Sequence, residues 1–64
     1  MPKLNLTVKL VGEDGNVFNL MAIITREMKK HGYENEAKEF IDEVTKCKSY
    51  DEALIVMLKW VNVV

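Results

Sequence analysis

The stretch GEDGN, residues 12–16, contains the residue types of a calcium-binding loop. Such a loop needs oxygen ligands at its odd-numbered positions and a bidentate glutamate at position twelve. Counted from Asp14, position three is Asn16, but positions five and twelve are Phe18 and Thr25. The spacing therefore fails for calcium.

A phosphate site is the second chemistry that this stretch suggests, because glycines ahead of a helix can present backbone N–H groups to an anion. Glu13 and Asp14 would repel a phosphate, and neither a dinucleotide-binding nor a P-loop motif is present. We therefore interpret GEDGN as a strand-to-helix turn. The strand ends at Gly12, Gly15 takes a backbone angle that other residues avoid, and Asn16 caps the helix.

The chain has one histidine, His31, and one cysteine, Cys47. A zinc site takes three or four N, S or O ligands, and a nucleophilic cysteine needs a base held beside it. The spacing of these two residues supports neither site. The many carboxylates after residue 33 alternate with lysines, as on a solvated helix face. The sequence thus predicts no catalytic residue, no cofactor and no metal.

A basic cluster comprises Arg26, Lys29, Lys30 and His31. Positive side chains in the last turn of a helix complement its dipole. The functional alternative is a patch that binds an anion or a nucleic acid. No aromatic residues interleave these cations and the net charge is −1, so we favour the dipole interpretation.

Two aliphatic residues fall at positions that the helical pattern assigns to solvent. Ile23 lies among Asn19, Glu27 and Lys30. Ile55 lies on the polar face of the last helix, between Asp51, Glu52 and Lys59. Single exposed aliphatics are common, but two that lie close together would form a contact patch. Ile23 and Ile55 are therefore the candidate partner surface, together with the free edge of a minimal sheet.

Length and composition restrict the class of protein. With 64 residues, 48% of them hydrophobic and 30% charged, the sequence fits one globular domain, 1–64, with a small core that oligomerisation could supplement. A single cysteine fits the reducing cytoplasm. The apolar runs are too short for a membrane span, and no signal peptide is evident.

The periodicity places the elements. Residues 3–11 alternate strictly between apolar and polar, which predicts a strand with one buried face. From residue 17 the period becomes helical and predicts a helix over 17–31 that Gly32 terminates. The alternative makes residues 16–20 the second strand of a hairpin, with Asp14-Gly15 as its turn.

A second helix is predicted over 35–46. A third begins at the capping-box pair Ser49 and Glu52, with an apolar stripe that includes Leu58. The tail WVNVV is either the frayed end of the third helix or a short strand at 60–63. We favour the strand, since residues 3–11 need a pairing partner. The predicted fold class is α+β, in the order β-α-α-α-(β), with three helices packed on a two-stranded sheet.

The chain resembles a group of short bacterial proteins that have no assigned activity. The resemblance rests on LVGEDGN-x-F (Leu10 to Phe18), Lys29-Lys30-His31-Gly32, Tyr50-Asp51 and Trp60-Val61. It implies a small α/β cytoplasmic domain and assigns no catalytic residues. The chain departs from the pattern at TKCKS, residues 45–49, where that group has a Ser-Gly-Asp type of turn.

These observations favour a non-enzymatic protein-interaction or regulatory domain that binds a partner protein or forms a homodimer. The first alternative is weak nucleic-acid binding through the basic end of the first helix. The second is an enzyme or ligand binder that uses the GEDGN loop.

Overall fold

The computed structural model describes residues 2–64, which form three helices and a two-stranded parallel sheet. The elements in chain order are β1 (Thr7–Val8), α1 (Val17–Lys30), α2 (Glu34–Thr45), α3 (Tyr50–Trp60) and β2 (Asn62–Val63). Thr7 lies opposite Asn62, and Val8 lies opposite Val63. The predicted α+β class and element order are confirmed.

The first strand keeps the predicted alternation but not the predicted length. Leu4, Leu6 and Val8 are buried, whereas the intervening side chains are exposed. Regular pairing is restricted to Thr7–Val8 instead of extending over 3–11. The C-terminal strand is also shorter than the predicted 60–63, because α3 continues through Trp60 and β2 covers only Asn62–Val63. β1 can form a regular ladder only along the length of β2, so it is short as well.

The first helix starts where the sequence predicts it. The Asn16 side chain accepts hydrogen bonds from the backbone N–H groups of Phe18 and Asn19, as an N-cap does. At the other end Gly32 has a φ of +84°, and the Tyr33 N–H donates to the carbonyl of Met28, 2.8 Å away. This is the Schellman termination expected of glycine after a helix. The hairpin alternative over 16–20 is wrong.

The second and third helices differ in how they begin. Among residues 2–64 no side chain caps the start of α2, which begins one residue before the predicted 35–46. At α3 the Ser49 hydroxyl accepts a hydrogen bond from the Glu52 N–H, and the Glu52 carboxylate accepts one from the Lys48 N–H at 2.9 Å. The capping box predicted from Ser49 and Glu52 therefore starts α3, and the carboxylate reaches back one residue further than in the usual arrangement.

The core lies between the three helices and the apolar side of the N-terminal segment. Its fully buried large side chains are Phe40, Ile24, Met28, Met57, Val8 and Val61. α1 packs against α2, α3 and β1, and α3 packs against α2, α1 and β2. Leu58 was predicted to belong to the buried stripe of α3, but it is 58% exposed. The neighbours of α3 cover one side only, so a stripe this wide cannot be buried completely.

Trp60 joins the chain ends to the helices. Its indole N–H donates to the Glu43 carboxylate of α2 at 3.1 Å, and its ring meets the Phe40 ring edge-on, with centroids 6.0 Å apart. The Lys3 ammonium lies 4.2 Å from the Trp60 ring centroid, a distance typical of a cation–π contact. The Trp60 carbonyl also accepts a hydrogen bond from the Leu4 N–H.

Burial of Ile24 makes a measurable contribution to stability. Ile24→Val removes one methylene from a side chain with no exposed area, so we expect a loss of about 0.5–1.5 kcal/mol in the free energy of unfolding. Ile55→Val makes the same chemical change on an exposed helical position and should cost less than about 0.5 kcal/mol. Urea denaturation followed by circular dichroism measures both. Equal losses in the two variants would contradict this core.

Candidate functional site

The GEDGN loop is held by hydrogen bonds between its own groups and α1. The Asp14 carboxylate accepts from the Asn16 N–H at 3.0 Å, and the Asn19 side-chain amide donates to the Asp14 carbonyl at 2.9 Å. The Tyr50 hydroxyl, at the start of α3, donates to the Gly15 carbonyl. The predicted turn residues Gly12, Glu13, Asp14, Gly15 and Asn16 thus link β1 to α1 and hold the loop against α3.

The two glycines of the loop have different roles from those predicted. Gly12, not Gly15, has the positive φ, +84°. The chain turns there because the Glu13 N–H donates back to the Leu10 carbonyl. Gly15 lies instead beneath Tyr50, where an added Cβ would meet the hydroxyl oxygen at 3.4 Å. The expectation that Gly15 takes the unusual angle is wrong, since composition alone does not reveal which of two nearby glycines makes the turn.

The basic cluster lies at the exposed C-terminal end of α1. Arg26, Lys29, Lys30 and His31 are all exposed, and the His31 N–H donates to the Glu27 carbonyl. The Lys30 ammonium is 3.4 Å from the Glu27 carboxylate. This pair reduces the positive charge that the cluster can offer to an anion.

The two candidate partner residues have different environments. Ile23 is half-buried and packs against the core, so it does not project freely from α1. Ile55 is 55% exposed, and the exposed Leu58 lies one turn further along α3. Residues three apart are neighbours on a helix. The apolar surface of α3 is therefore formed by Ile55 and Leu58 rather than by Ile55 and Ile23.

An apolar groove that the sequence did not predict opens between the helices. It has a volume of about 470 Å³ and lies where the first turns of α1, the end of α2 and the first turns of α3 meet. It is lined by Val17, Phe18, Met21, Val44, Thr45, Cys47, Lys48, Ser49, Tyr50 and Ala53. Its volume lies within the range of pockets that bind small molecules or side chains.

Two aromatic residues on this groove remain in contact with solvent. Phe18 is 69% exposed and Tyr50 is 45% exposed. Phe18 falls outside the apolar stripe of α1, which runs through Val17, Leu20 and Met21, so helical periodicity assigns it no partner. That mismatch is the one sequence signal that could have indicated the groove.

The hydroxyl and thiol groups of the groove already have partners within the chain. The Ser49 hydroxyl caps α3, and the Tyr50 hydroxyl donates to Gly15. The Cys47 thiol is half-buried and donates to the Glu43 carbonyl at 3.5 Å. His31 lies ten residues beyond Met21, roughly 15 Å along α1, so it is not placed to act as a base for this thiol.

A second, smaller cavity of about 310 Å³ lies over Trp60. It is lined by Lys3, Glu39, Asp42, Glu43, Lys46 and Trp60. Asp42 pairs with Lys46 at 3.0 Å, while Glu43 accepts the Trp60 N–H. The Asp42–Lys46 pair lies at the end of α2, and the Glu43 hydrogen bond joins α2 to the C-terminal end of α3.

Within residues 2–64 no group of His, Cys, Asp or Glu side chains is arranged to hold a metal ion. The same part of the chain contains no helix with both the length and the apolar character needed to cross a membrane. No protein-family model, curated protein or solved structure matches this sequence. The resemblance to short bacterial proteins stays a prediction.

The glycine assignment predicts unequal effects of two alanine substitutions. Gly12→Ala places a Cβ at φ +84° with nothing within 4 Å of it, so the loss comes from the backbone conformation and should be about 1–2 kcal/mol. Gly15→Ala should leave stability unchanged or raise it by up to about 1 kcal/mol, because its φ is negative. Thermal unfolding of both variants decides the assignment, and a larger loss at Gly15 would refute it.

Proposed function

We propose that this chain is a non-enzymatic interaction domain whose groove receives an apolar side chain, or two adjacent ones, from a protein partner. The observation that carries the proposal is the exposure of Phe18 and Tyr50 on an apolar groove. Aromatic residues are enriched at interfaces because they bury a large area at a small cost in conformational entropy. The proposal includes a cytoplasmic location, which the single cysteine favours.

The size of the groove supports a side-chain anchor rather than an extended partner surface. A cavity of about 470 Å³ is near the lower end of the range for ligand sites. Interfaces concentrate their binding energy in a few anchors that fill such pockets. An aromatic or branched aliphatic residue of the partner would fill the groove and contact Phe18, Met21 and Tyr50.

The chemistry of the lining supports binding rather than catalysis. The hydroxyls of Ser49 and Tyr50 serve α3 and the GEDGN loop. Nucleophilic catalysis at Cys47 would need a base within hydrogen-bond reach, and the one histidine of the sequence is at the far end of α1. The nucleic-acid alternative gains no support from α1, because Lys30 is paired with Glu27.

Selection from a library of random peptides tests this proposal. We expect enrichment of peptides with an aromatic or branched aliphatic anchor. Their binding should shift the NMR signals of groove residues such as Val17, Met21 and Ala53. Phe18→Ser should weaken the binding of a selected peptide by at least about tenfold, the usual effect of removing an aromatic anchor.

Leu58→Ser is the matched control, since it removes a comparably exposed apolar side chain from another helix. It should change peptide affinity by less than about twofold. The opposite pattern, loss with Leu58→Ser and tolerance of Phe18→Ser, would move the binding surface to the Ile55–Leu58 face of α3 and overturn the proposal. Failure to enrich any apolar peptide would also count against it.

A further inference from the structure

The N-terminal segment uses only one of its two backbone edges. At the two ends of this segment, where the chain turns, the N–H groups of Lys3 and Val11 donate to the carbonyls of Lys59 and Val64. Between these ends, the N–H groups of Leu4 and Leu10 donate to carbonyls of the C-terminal segment, and the carbonyls of Leu6 and Val8 accept from it. All four residues are even-numbered, as parallel pairing requires, because alternate residues of a strand point their backbone groups to opposite edges.

The other edge of this segment is open. The backbone groups of Asn5, Thr7 and Lys9 face away from β2, and they make no hydrogen bond to another residue of the described range 2–64. All three residues are exposed. A strand edge of this kind is a template for pairing with another strand.

We propose that a second copy of this chain occupies this edge, with the two β1 segments antiparallel and related by a two-fold axis at Thr7. Thr7 then faces Thr7 of the second copy, and each Asn5 faces a Lys9. Each of these pairs exchanges two N–H···O=C bonds, because all three residues point outward in both copies. The result is a four-stranded sheet in the order β2-β1-β1-β2.

Like charges disfavour two of the neighbouring registers, and an existing backbone hydrogen bond disfavours a third. A shift that places Thr7 opposite Asn5 brings Lys3 opposite Lys9, and a shift centred on Lys9 places two ammonium groups against each other. Like charges directly opposite each other destabilise a sheet. A shift in the other direction leaves Asn5 facing Val11, whose N–H is already bonded to Val64.

The same register is complementary on the buried side of the sheet. There Leu6 faces Val8 of the second copy on both sides of the two-fold axis, so the apolar side remains continuous across it. A surface that complements itself in this way is a feature of isologous dimers. This self-complementarity indicates a second copy of the chain rather than an unrelated strand.

Sedimentation equilibrium tests the dimer. The short edge buries less than the roughly 1,200 Å² of stable interfaces, so the measurement should extend from roughly 10 µM to roughly 1 mM. We expect a reversible monomer–dimer equilibrium within this range. A monomer throughout would overturn the proposal.

A charge exchange tests the register. In the dimer, Asn5→Lys places a lysine opposite Lys9 in each of the two symmetry-related pairs. The repulsion should weaken the dimer by roughly 2- to 30-fold. The double variant Asn5→Lys with Lys9→Glu places lysine opposite glutamate and should restore the affinity. Within one chain these two exposed positions are four residues apart, a span of at most roughly 14 Å, so the monomer is not expected to respond. A double variant as weak as Asn5→Lys alone would exclude this register.

Disulfide formation supplies a second readout, which reports directly which residues face each other in the dimer. In a Cys47→Ser background, Thr7→Cys should cross-link under diamide, because the Cα atoms of a hydrogen-bonded pair lie about 5.5 Å apart. Asn5→Cys in the same background is the control. The two Asn5→Cys side chains of a dimer would be separated by roughly 14 Å and should stay unlinked. Asn5→Cys chains mixed with Lys9→Cys chains should form a disulfide, because these two positions face each other. Equal cross-linking of Thr7→Cys and Asn5→Cys would contradict the two-fold axis.

Discussion

The structure depends on the pairing of its two chain ends. Backbone hydrogen bonds run from the N–H groups of Lys3, Leu4 and Leu10 to carbonyls between Lys59 and Val64, and others run back to Leu6 and Val8. All three helices lie between these segments in sequence, so the sheet closes only when the helices have brought the ends together. Contacts of such large separation carry a loop-closure cost, which burial between sheet and helices must offset.

Trp60 connects this closure to the helical core. Its ring and indole N–H reach α2 through Phe40 and Glu43, while its carbonyl and ring face reach the N-terminal segment. At the opposite end of α3, Tyr50 holds the GEDGN loop through Gly15. α3 is therefore attached to the N-terminal segment at one end and to the GEDGN loop at the other, and Tyr50, which makes the second attachment, also lines the groove.

The elements that the sequence predicted well are those defined by neighbouring residues. Asn16 and Ser49 cap helices through groups two or three positions away, and Gly32 ends α1 through its own φ. The parallel direction of the sheet and the short length of its ladder depend on the position and direction in which the chain leaves α3. No local sequence pattern encodes that position. Leu58 shows the same limit, because its exposure depends on which sides of α3 the other elements cover.

The groove and the sheet edge do not compete for residues. The groove is lined by α1, the α2–α3 connection and its flanking helix ends, whereas the edge consists of Asn5, Thr7 and Lys9. Pairing along the edge would use none of the groove residues and would give one particle two grooves related by a two-fold axis. A partner with two apolar anchors would then bind the second groove of the dimer intramolecularly. Modest affinity at each groove would give stronger binding overall, provided that the spacing of the anchors matches that of the grooves.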